Sequence, residues 1–225
     1  MKPVLAVFAK TPHPGKVKTR LAPALTPEEG AELYHCMLQD TIARMRTLGV
    51  ETVIFYDGDE EFFRNFHPGL RLIRQHQAGL GERLEAAFRQ LEDLGYRERV
   101  VIGSDAPDLP LSFIREAFDF LGTGKDVVFG PAEDGGYYLV GLSGGMADLF
   151  QDVPWSTSEV LAVSYQKAQH AEFAVELIST WYDIDSYEDL LRPGLYDPES
   201  GATLTRRFLL ERGIEPLGAV ACSCG

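Results

Sequence analysis

The sequence predicts an α/β fold: a mostly parallel β-sheet with helices on both faces, built as a single domain over residues 1–225. Three observations lead there. Short apolar runs alternate along the chain with segments of helical periodicity. The first run, Val4 to Ala9, is continuously apolar, the pattern of a strand covered on both faces. The chain has 225 residues, 45% of them hydrophobic, which is enough for one sizeable core, and no repeat, low-complexity tract or linker divides it.

Each element follows from its own pattern. Val4 to Ala9 opens as a strand. Pro27 to Leu48 reads as a helix, because Leu33, Met37, Ile42, Met45 and Leu48 recur at helical spacing and Gly49 stops it. The stretch ETVIFYDG is a second strand and LRLIRQ a third. Leu80, Leu84, Ala87, Phe88, Leu91 and Leu94 then share one face of a helix that Gly95 ends. RVVIGSD is a fourth strand and SFIREAFDFL a helix. DVVFGP and YYLVGL are strands. Ser156 to His170 reads as a helix, with Ser156 and Glu159 spaced as a capping box. FAVELI is a late strand, a short helix starts near Asp185 with Glu188 three residues on, and residues 203–212 suggest a last helix.

Charge and cysteine content narrow the function. The formal net charge of -13 opposes binding to nucleic acid or to an anionic membrane. The apolar stretch in MKPVLAVFAK is too short for a signal peptide, and no run is long enough to span a bilayer, so a cytoplasmic protein is expected. Cys36 falls in a helical pattern as a small core residue. Cys222 and Cys224 form one C-x-C in a terminal tail, a poor zinc site. Nothing in the sequence sets the oligomeric state.

Against that acidic background the cations cluster. KTPHPGKVKTRL, residues 10–21, follows the first strand and holds no carboxylate. Pro12, Pro14 and Gly15 keep it out of helix, and its backbone N–H groups with Lys16, Lys18 and Arg20 can meet a phosphate. The alternative is a solvated basic loop. Two familiar phosphate loops are excluded. No G-x-G-x-x-G follows the first strand, and GTGKD at 122–126 lacks the upstream glycine and the hydroxyl residue of a P-loop, so it reads as a helix stop.

The KTPHPGKVKTRL loop and two acidic ones, GSDAPDLP and GPAEDGGYYLVGL, leave strands where ligands sit in such sheets, beyond the carboxyl ends, and WYDIDSYEDL is a further acidic cluster. In GSDAPDLP, Asp105 follows a strand directly, and its hard oxygens suit Mg²⁺ or Mn²⁺. Asp108 is either a ligand or an organiser of the next helix. In GPAEDGGYYLVGL, Gly135 and Gly136 permit close backbone approach to a ligand. Glu133 and Asp134 there can bind sugar hydroxyls or accept a proton, or they are exposed acids on a hairpin-like turn. In WYDIDSYEDL, Asp183 and Asp185 share a side of extended chain, and Asp185 is a second metal ligand or an N-cap. In QAGLGERL, residues 77–84, the glycines, Gly81 among them, precede a helix whose first turn carries Glu82 and Arg83, as a helix start or as a base- or ribose-contacting edge. Trp155 reads as core more readily than as a sugar platform. The histidines show no metal-ligand spacing.

The motifs FAKTPHPGKVKTRL, GLGERL, GSDAPDL, GPAEDGGYYLVGL, PWST and DIDSYEDL occur in this order over nearly the whole chain. Together they resemble a bacterial family of nucleotide-diphospho-sugar transferase-like proteins, described as glycosyltransferases linked to arsenosugar biosynthesis. Its wider superfamily includes guanylyltransferases for the molybdenum cofactor and for phospholactate. The resemblance implies a GT-A-like, Rossmann-related three-layer α/β/α sandwich. It implies phosphate contacts from Lys10, Lys16, Lys18 and Arg20, and Gly15, Thr19, Gly81, Arg83, Gly135 and Gly136 complete the expected substrate-binding residues. It also implies a divalent metal, Mg²⁺ or Mn²⁺, on Asp105 and Asp185. In place of the glycosyltransferase D-x-D, the chain has Asp105-Ala-Pro-Asp108, one residue longer.

The expected function is therefore Mg²⁺-dependent transfer of a sugar from a nucleoside diphosphate sugar to a small acceptor. Asp105, Asp134 and Glu133 are the expected catalytic residues, and a nucleotide or nucleotide sugar is the expected partner. Transfer of a guanylyl or cytidylyl group to a phosphorylated small molecule is the first alternative. Non-catalytic binding of a nucleotide sugar is the second.

Overall fold

The computed structural model describes residues 2–146 and 148–216. Cys222 and Cys224 lie outside the described residues. In chain order the elements are β1 (Lys2–Lys10), α1 (Pro27–Met45), β2 (Glu51–Asp57), α2 (Glu60–Phe66), β3 (Arg71–Arg74), α3 (Leu80–Asp93), β4 (Tyr96–Ile102), α4 (Leu111–Gly122), β5 (Val127–Pro131), β6 (Tyr137–Leu142), α5 (Val160–His170), β7 (Val175–Leu177) and α6 (Thr203–Glu211). The chain groups into two compact units. One holds the chain up to Thr11 with Arg44–Ser104 and Pro110–Asp183, and the other holds Pro12–Ala43, Asp105–Leu109 and the chain from Ile184.

The first unit contains the whole sheet, in the order β3-β2-β1-β4-β6-β5-β7. Neighbours are parallel except around β6, which runs antiparallel to both β4 and β5. The reversal comes from the turn between β5 and β6, where Ala132 N–H donates to the Gly136 carbonyl at 2.9 Å. The sheet is therefore mostly parallel, as the alternating pattern predicts, with one strand reversed by the hairpin-like option.

Both faces of the sheet are covered within this unit. Ala6, Phe55, Val101, Phe129 and Val140 form one face with Phe88 and Leu91 of α3 and Ala168 of α5. On the other face, Leu121 of α4 lies over Gly141, and Phe63 of α2 packs on Tyr56. These side chains are almost entirely buried, and each large one contributes about 1.5–3 kcal/mol of apolar burial. The arrangement is the expected α/β/α layering. Arg99 on β4 is also buried, donating to the Phe88 carbonyl at 3.1 Å and pairing with Glu92 at 3.2 Å.

One local expectation needs correction, and one short helix is not expected from the sequence. The helix expected from Ser156 begins only at Val160. Ser156 has a φ of 66°, incompatible with a first helical turn, and the expected capping box is absent because Glu159 makes no side-chain cap. Thr157 organises the approach instead, donating to the Pro154 carbonyl at 2.7 Å and accepting from Glu159 N–H at 3.3 Å. The short helix α2 lies between the expected second and third strands, and its N-terminus is capped by Asp59, which accepts from Glu61 N–H at 2.9 Å. At GTGKD the chain stops α4 as expected: Lys125 N–H bonds back to Phe120 at 3.0 Å, and its ammonium pairs with Glu176 at 2.8 Å.

The second unit is built on α1 and α6. Asp40 of α1 is 4% exposed, and its carboxylate accepts from Leu204 N–H at 3.0 Å and from Thr205 N–H and Oγ1 at 2.8 Å each. It thereby satisfies N–H groups that the first turn of α6 leaves without intrahelical partners.

Candidate functional site

The basic loop is shaped by its apolar residues. Gly15, with φ of 72°, lets Lys16 N–H reach back to the His13 carbonyl at 3.0 Å. Val17 then packs on Ala31 and Tyr34 of α1, and Leu21 is buried at the end of a one-turn 3-10 helix, Thr19–Leu21. Between these two anchors Lys18 takes a left-handed backbone, φ 50° and ψ 33°. That conformation is uncommon for a residue with a Cβ, and strain of this kind is found where a side chain must be aimed. His13, Gly15, Lys16 and Thr19 remain exposed.

Lys18 is aimed at two aspartates in the same unit. Its side chain is 3% exposed and its ammonium pairs with Asp105 Oδ1, with Asp185 Oδ1 at 3.6 Å. It also donates to the Ile184 carbonyl. Asp105 and Ile184 are tied by a backbone hydrogen bond, Ile184 N–H to the Asp105 carbonyl at 3.0 Å. This bond brings the segments GSDAPDL and DIDSYEDL side by side, so Asp105 and Asp185 meet despite their distance in sequence. Arg20 reaches Asp185 Oδ2 at 3.1 Å. The side chains grade outward, from Lys18 to Asp105 at 40%, Asp185 at 51% and Arg20 at 76% exposure. Asp108 follows Asp105 through a turn closed by Leu109 N–H to the Ala106 carbonyl at 3.2 Å, and is buried.

Asp185 is held by a residue that spacing did not single out. Asp189 Oδ2 accepts from Asp185 N–H at 3.1 Å and from Ser186 N–H and Oγ at 2.8 Å each, while its Oδ1 pairs with Arg192 at 3.1 Å. Partial burial would raise the Asp189 carboxyl, but the hydrogen bonds from Ser186 and Asp185, with Arg192, outweigh it and hold the group below the ordinary aspartate range. The expected short helix here is a one-turn 3-10 helix, Glu188–Leu191. Asp185 lies ahead of it and is not its N-cap, and Asp189 within it reaches back to the N–H groups of Asp185 and Ser186. A carboxylate four residues after another in a Ser-containing turn is the signal that could have found it.

A divalent ion suits this group on its chemistry. Two carboxylate oxygens and a carbonyl already converge on one cationic nitrogen, and hard oxygens are what Mg²⁺ and Mn²⁺ take. Among the described residues no group of three or more His, Cys, Asp or Glu is disposed to hold a metal. Were a divalent ion held here, Asp105 and Asp185 would supply two carboxylates, with phosphate oxygens and water in the remaining positions.

The other expected residues belong to the sheet unit. Lys10 ends β1 and is exposed. Arg83 donates to Gln75 Oε1 at 3.1 Å, and Gln75 Nε2 donates to the Phe55 carbonyl at 2.7 Å and the Ala9 carbonyl at 3.2 Å. The buried Gln75 therefore ties Arg83 to the carboxyl ends of β1 and β2. Sequence reasoning passed over Gln75, since a lone glutamine after a strand carries no motif. Gly81 packs against protein: a Cβ there would lie 2.4 Å from the Phe150 carbonyl and 2.6 Å from Trp155 Nε1. Trp155 packs against the core and against Tyr137. Glu133 and Asp134 are exposed on the β5–β6 turn, where Asp134 accepts from Gly136 N–H at 2.9 Å. Gly135, with φ of 90°, lies where a Cβ would strike the Ser158 carbonyl at 2.2 Å, so the close approach there is by the chain itself.

Comparison with known proteins agrees with this fold. A crystal structure from Desulfovibrio desulfuricans G20, described as a "putative nucleotide-diphospho-sugar transferase", matches with a TM-score of 0.84 at 31% identity, over 96% of this chain and 99% of that one. A 2-phospho-L-lactate guanylyltransferase of Methanothrix thermoacetophila is 25% identical over 198 residues, 85% of this chain and 84% of that protein. A nucleotidyl transferase from Methanothermobacter thermautotroptrophicus shares the fold alone, with a TM-score of 0.55 at 15% identity over 94% of this chain and all of that one. The fold is thus that of the nucleotide-diphospho-sugar transferase-like proteins. A family model described as "Uncharacterized protein conserved in bacteria (DUF2064)" matches residues 40–157, more than half of the sequence, and the chain belongs to that family.

Proposed function

We propose that this chain is a divalent-metal-dependent transferase that works on a nucleotide-activated compound and releases a diphosphate. The observation that carries the proposal is the meeting of Lys18 and Arg20 with Asp105 and Asp185 in one unit. Cations beside a pair of hard carboxylates are suited to a phosphate group whose negative charge grows as it leaves. Arg20 pairs through Nη1 and is largely exposed, so its other donors are open to a phosphate fork. When bound to Asp105 and Asp185, Mg²⁺ or Mn²⁺ would neutralise that same leaving charge.

In the first reading the donor is a nucleoside diphosphate sugar. An acceptor hydroxyl oxygen bonds to the anomeric carbon, the bond from that carbon to the diphosphate oxygen breaks, and the hydroxyl proton passes to a base or to water. Glu133 and Asp134 are the candidate bases. The resemblance to the Desulfovibrio protein supports this reading. In the second, an acceptor phosphate oxygen attacks the α-phosphorus of a nucleoside triphosphate and pyrophosphate leaves. The guanylyltransferase relative supports that one. Both readings ask the same thing of Lys18, Arg20, Asp105 and Asp185, which is to stabilise a departing diphosphate.

Product analysis separates them. Free nucleoside diphosphate from a sugar nucleotide marks the first reading, and pyrophosphate from a triphosphate marks the second. With either substrate, Asp105→Asn should lower kcat by roughly 10²-fold, about 3 kcal/mol of transition-state stabilisation. Near-wild-type turnover of that variant at limiting Mg²⁺ would remove Asp105 from the metal role.

A further inference from the structure

We infer that the Lys18 ammonium is the resident cation of the Asp105–Asp185 position, and that it keeps a divalent ion out until a phosphate arrives to take it. The inference rests on the function proposed above and adds an order of events to it. Lys18 Nζ lies against Asp105 Oδ1 and the Ile184 carbonyl, with Asp185 Oδ1 at 3.6 Å. An ammonium has three donors, and here it has three oxygens around it. These are the same oxygens a divalent ion would take from this segment of the protein.

The electrostatics make the two occupants exclusive. Lys18 is 3% exposed where it lies, so an ammonium left in place while its carboxylate partners turn to a metal would be a buried charge without a partner. Leaving a buried charge without a partner costs several kcal/mol. Without substrate, the two cations and two carboxylates of this group are formally neutral. A divalent ion added beside an undisplaced Lys18 would face a neighbouring positive charge at ion-pair distance. A diphosphate changes both terms, since its oxygens accept from the ammonium and its charge offsets the added metal. Lys18 then exchanges a carboxylate partner for a phosphate partner, and the vacated oxygens receive the metal. Binding of metal and of nucleotide is coupled through this one side chain, and thermodynamic linkage makes the coupling equal in both directions.

The left-handed backbone at Lys18 fits this role. The anchors Val17 and Leu21 fix the loop on either side, so the exchange needs only rotation of the lysine stem. Lys16 shares the loop but is exposed, and it cannot take part in the same way.

The test uses Mn²⁺ as the probe on the full chain, read by water-proton relaxation with no turnover involved. In the absence of nucleotide, Lys18→Met should bind Mn²⁺ at least about tenfold more tightly than wild type. Adding Asp105→Asn to that variant should abolish the gain. Lys18→Gln, checked with Lys18→Met by thermal melting, gives a second neutral replacement if the first does not fold. In wild type, GDP should restore Mn²⁺ binding. Equal or weaker Mn²⁺ binding by both neutral variants would overturn the inference while wild type with GDP still binds Mn²⁺, and the proposed metal-dependent function would then stand. If Mn²⁺ binds neither the variants nor wild type with GDP, the metal reading and the inference fall together.

Discussion

At the scale of single residues, neighbouring side chains of one type have different fates. The sequence presents Lys10, Lys16, Lys18 and Arg20 as equivalent cations after a strand. The structure singles out Lys18, which is buried in an ion pair, while Lys10 and Lys16 are exposed. Nothing in the charge pattern distinguishes them, because the choice is made by Val17 and Leu21, whose packing decides which way the loop faces. Glycines show the same limit. Gly81 and Gly135 stand out in the sequence as places for a ligand to come close, and both are approached by protein atoms. Cys36 was legible as a helical residue but is only half-buried. Its thiol is pushed up to about 11, first by burial and then by the charges of Asp40 and Glu32. In a chain carrying Cys222→Ser and Cys224→Ser, Cys36 should react with an aromatic disulfide at pH 8 about 100-fold more slowly than a free cysteine, since only the thiolate attacks. A rate within about threefold of a free thiol would reject that environment.

At the scale of elements, periodicity identified the buried strands and the long helices, and missed what local hydrogen bonding decides. The strands β1, β2 and β4 to β6 fall where continuous apolar runs predict. The direction of β6 is open in the sequence, because a strand buried on both faces reads alike whether parallel or antiparallel and the turn before it reads equally as a ligand loop or as hairpin-like. The start of α5 was misread because Ser156 has the right residue type for a cap and the wrong backbone. The turn that presents Asp185 depends on Asp189, and this gives a pH prediction. The folded Asp189 carboxyl lies below its unfolded value of 3.8, so its contribution is fully present above that value and is lost as the pH falls through the lower folded one. Asp189→Asn should cost about 1–2 kcal/mol in urea denaturation at pH 7, and the gap to wild type should narrow as the pH falls below 3.8. A gap that does not narrow in acid, or that is absent at pH 7, would show that the carboxylate does not hold the turn.

At the scale of the whole molecule, the acidic surface and the local cations tell one story. A chain of net charge -13 repels polyanions in general, yet it keeps Lys18 and Arg20 beside Asp105 and Asp185 in a group that is formally neutral. Such a group suits a small anion that brings its own metal. No helix among the described residues is long and apolar enough to cross a membrane. The fold was legible because alternating strands and helices leave few topologies, and because the ordered motifs span nearly the full length. Which compound is transferred was not legible, since the leaving diphosphate is common to both readings. The measurement that tests the central claim most directly is the melting temperature of the full chain across a panel of nucleotides and nucleotide sugars, with and without Mg²⁺. At about 100 times its dissociation constant, the matching nucleotide should raise Tm by about 5–10 °C when Mg²⁺ is present, and Asp105→Asn should lose the Mg²⁺-dependent part of that shift. A panel in which no nucleotide moves Tm with Mg²⁺, or a shift that Asp105→Asn leaves intact, would contradict it.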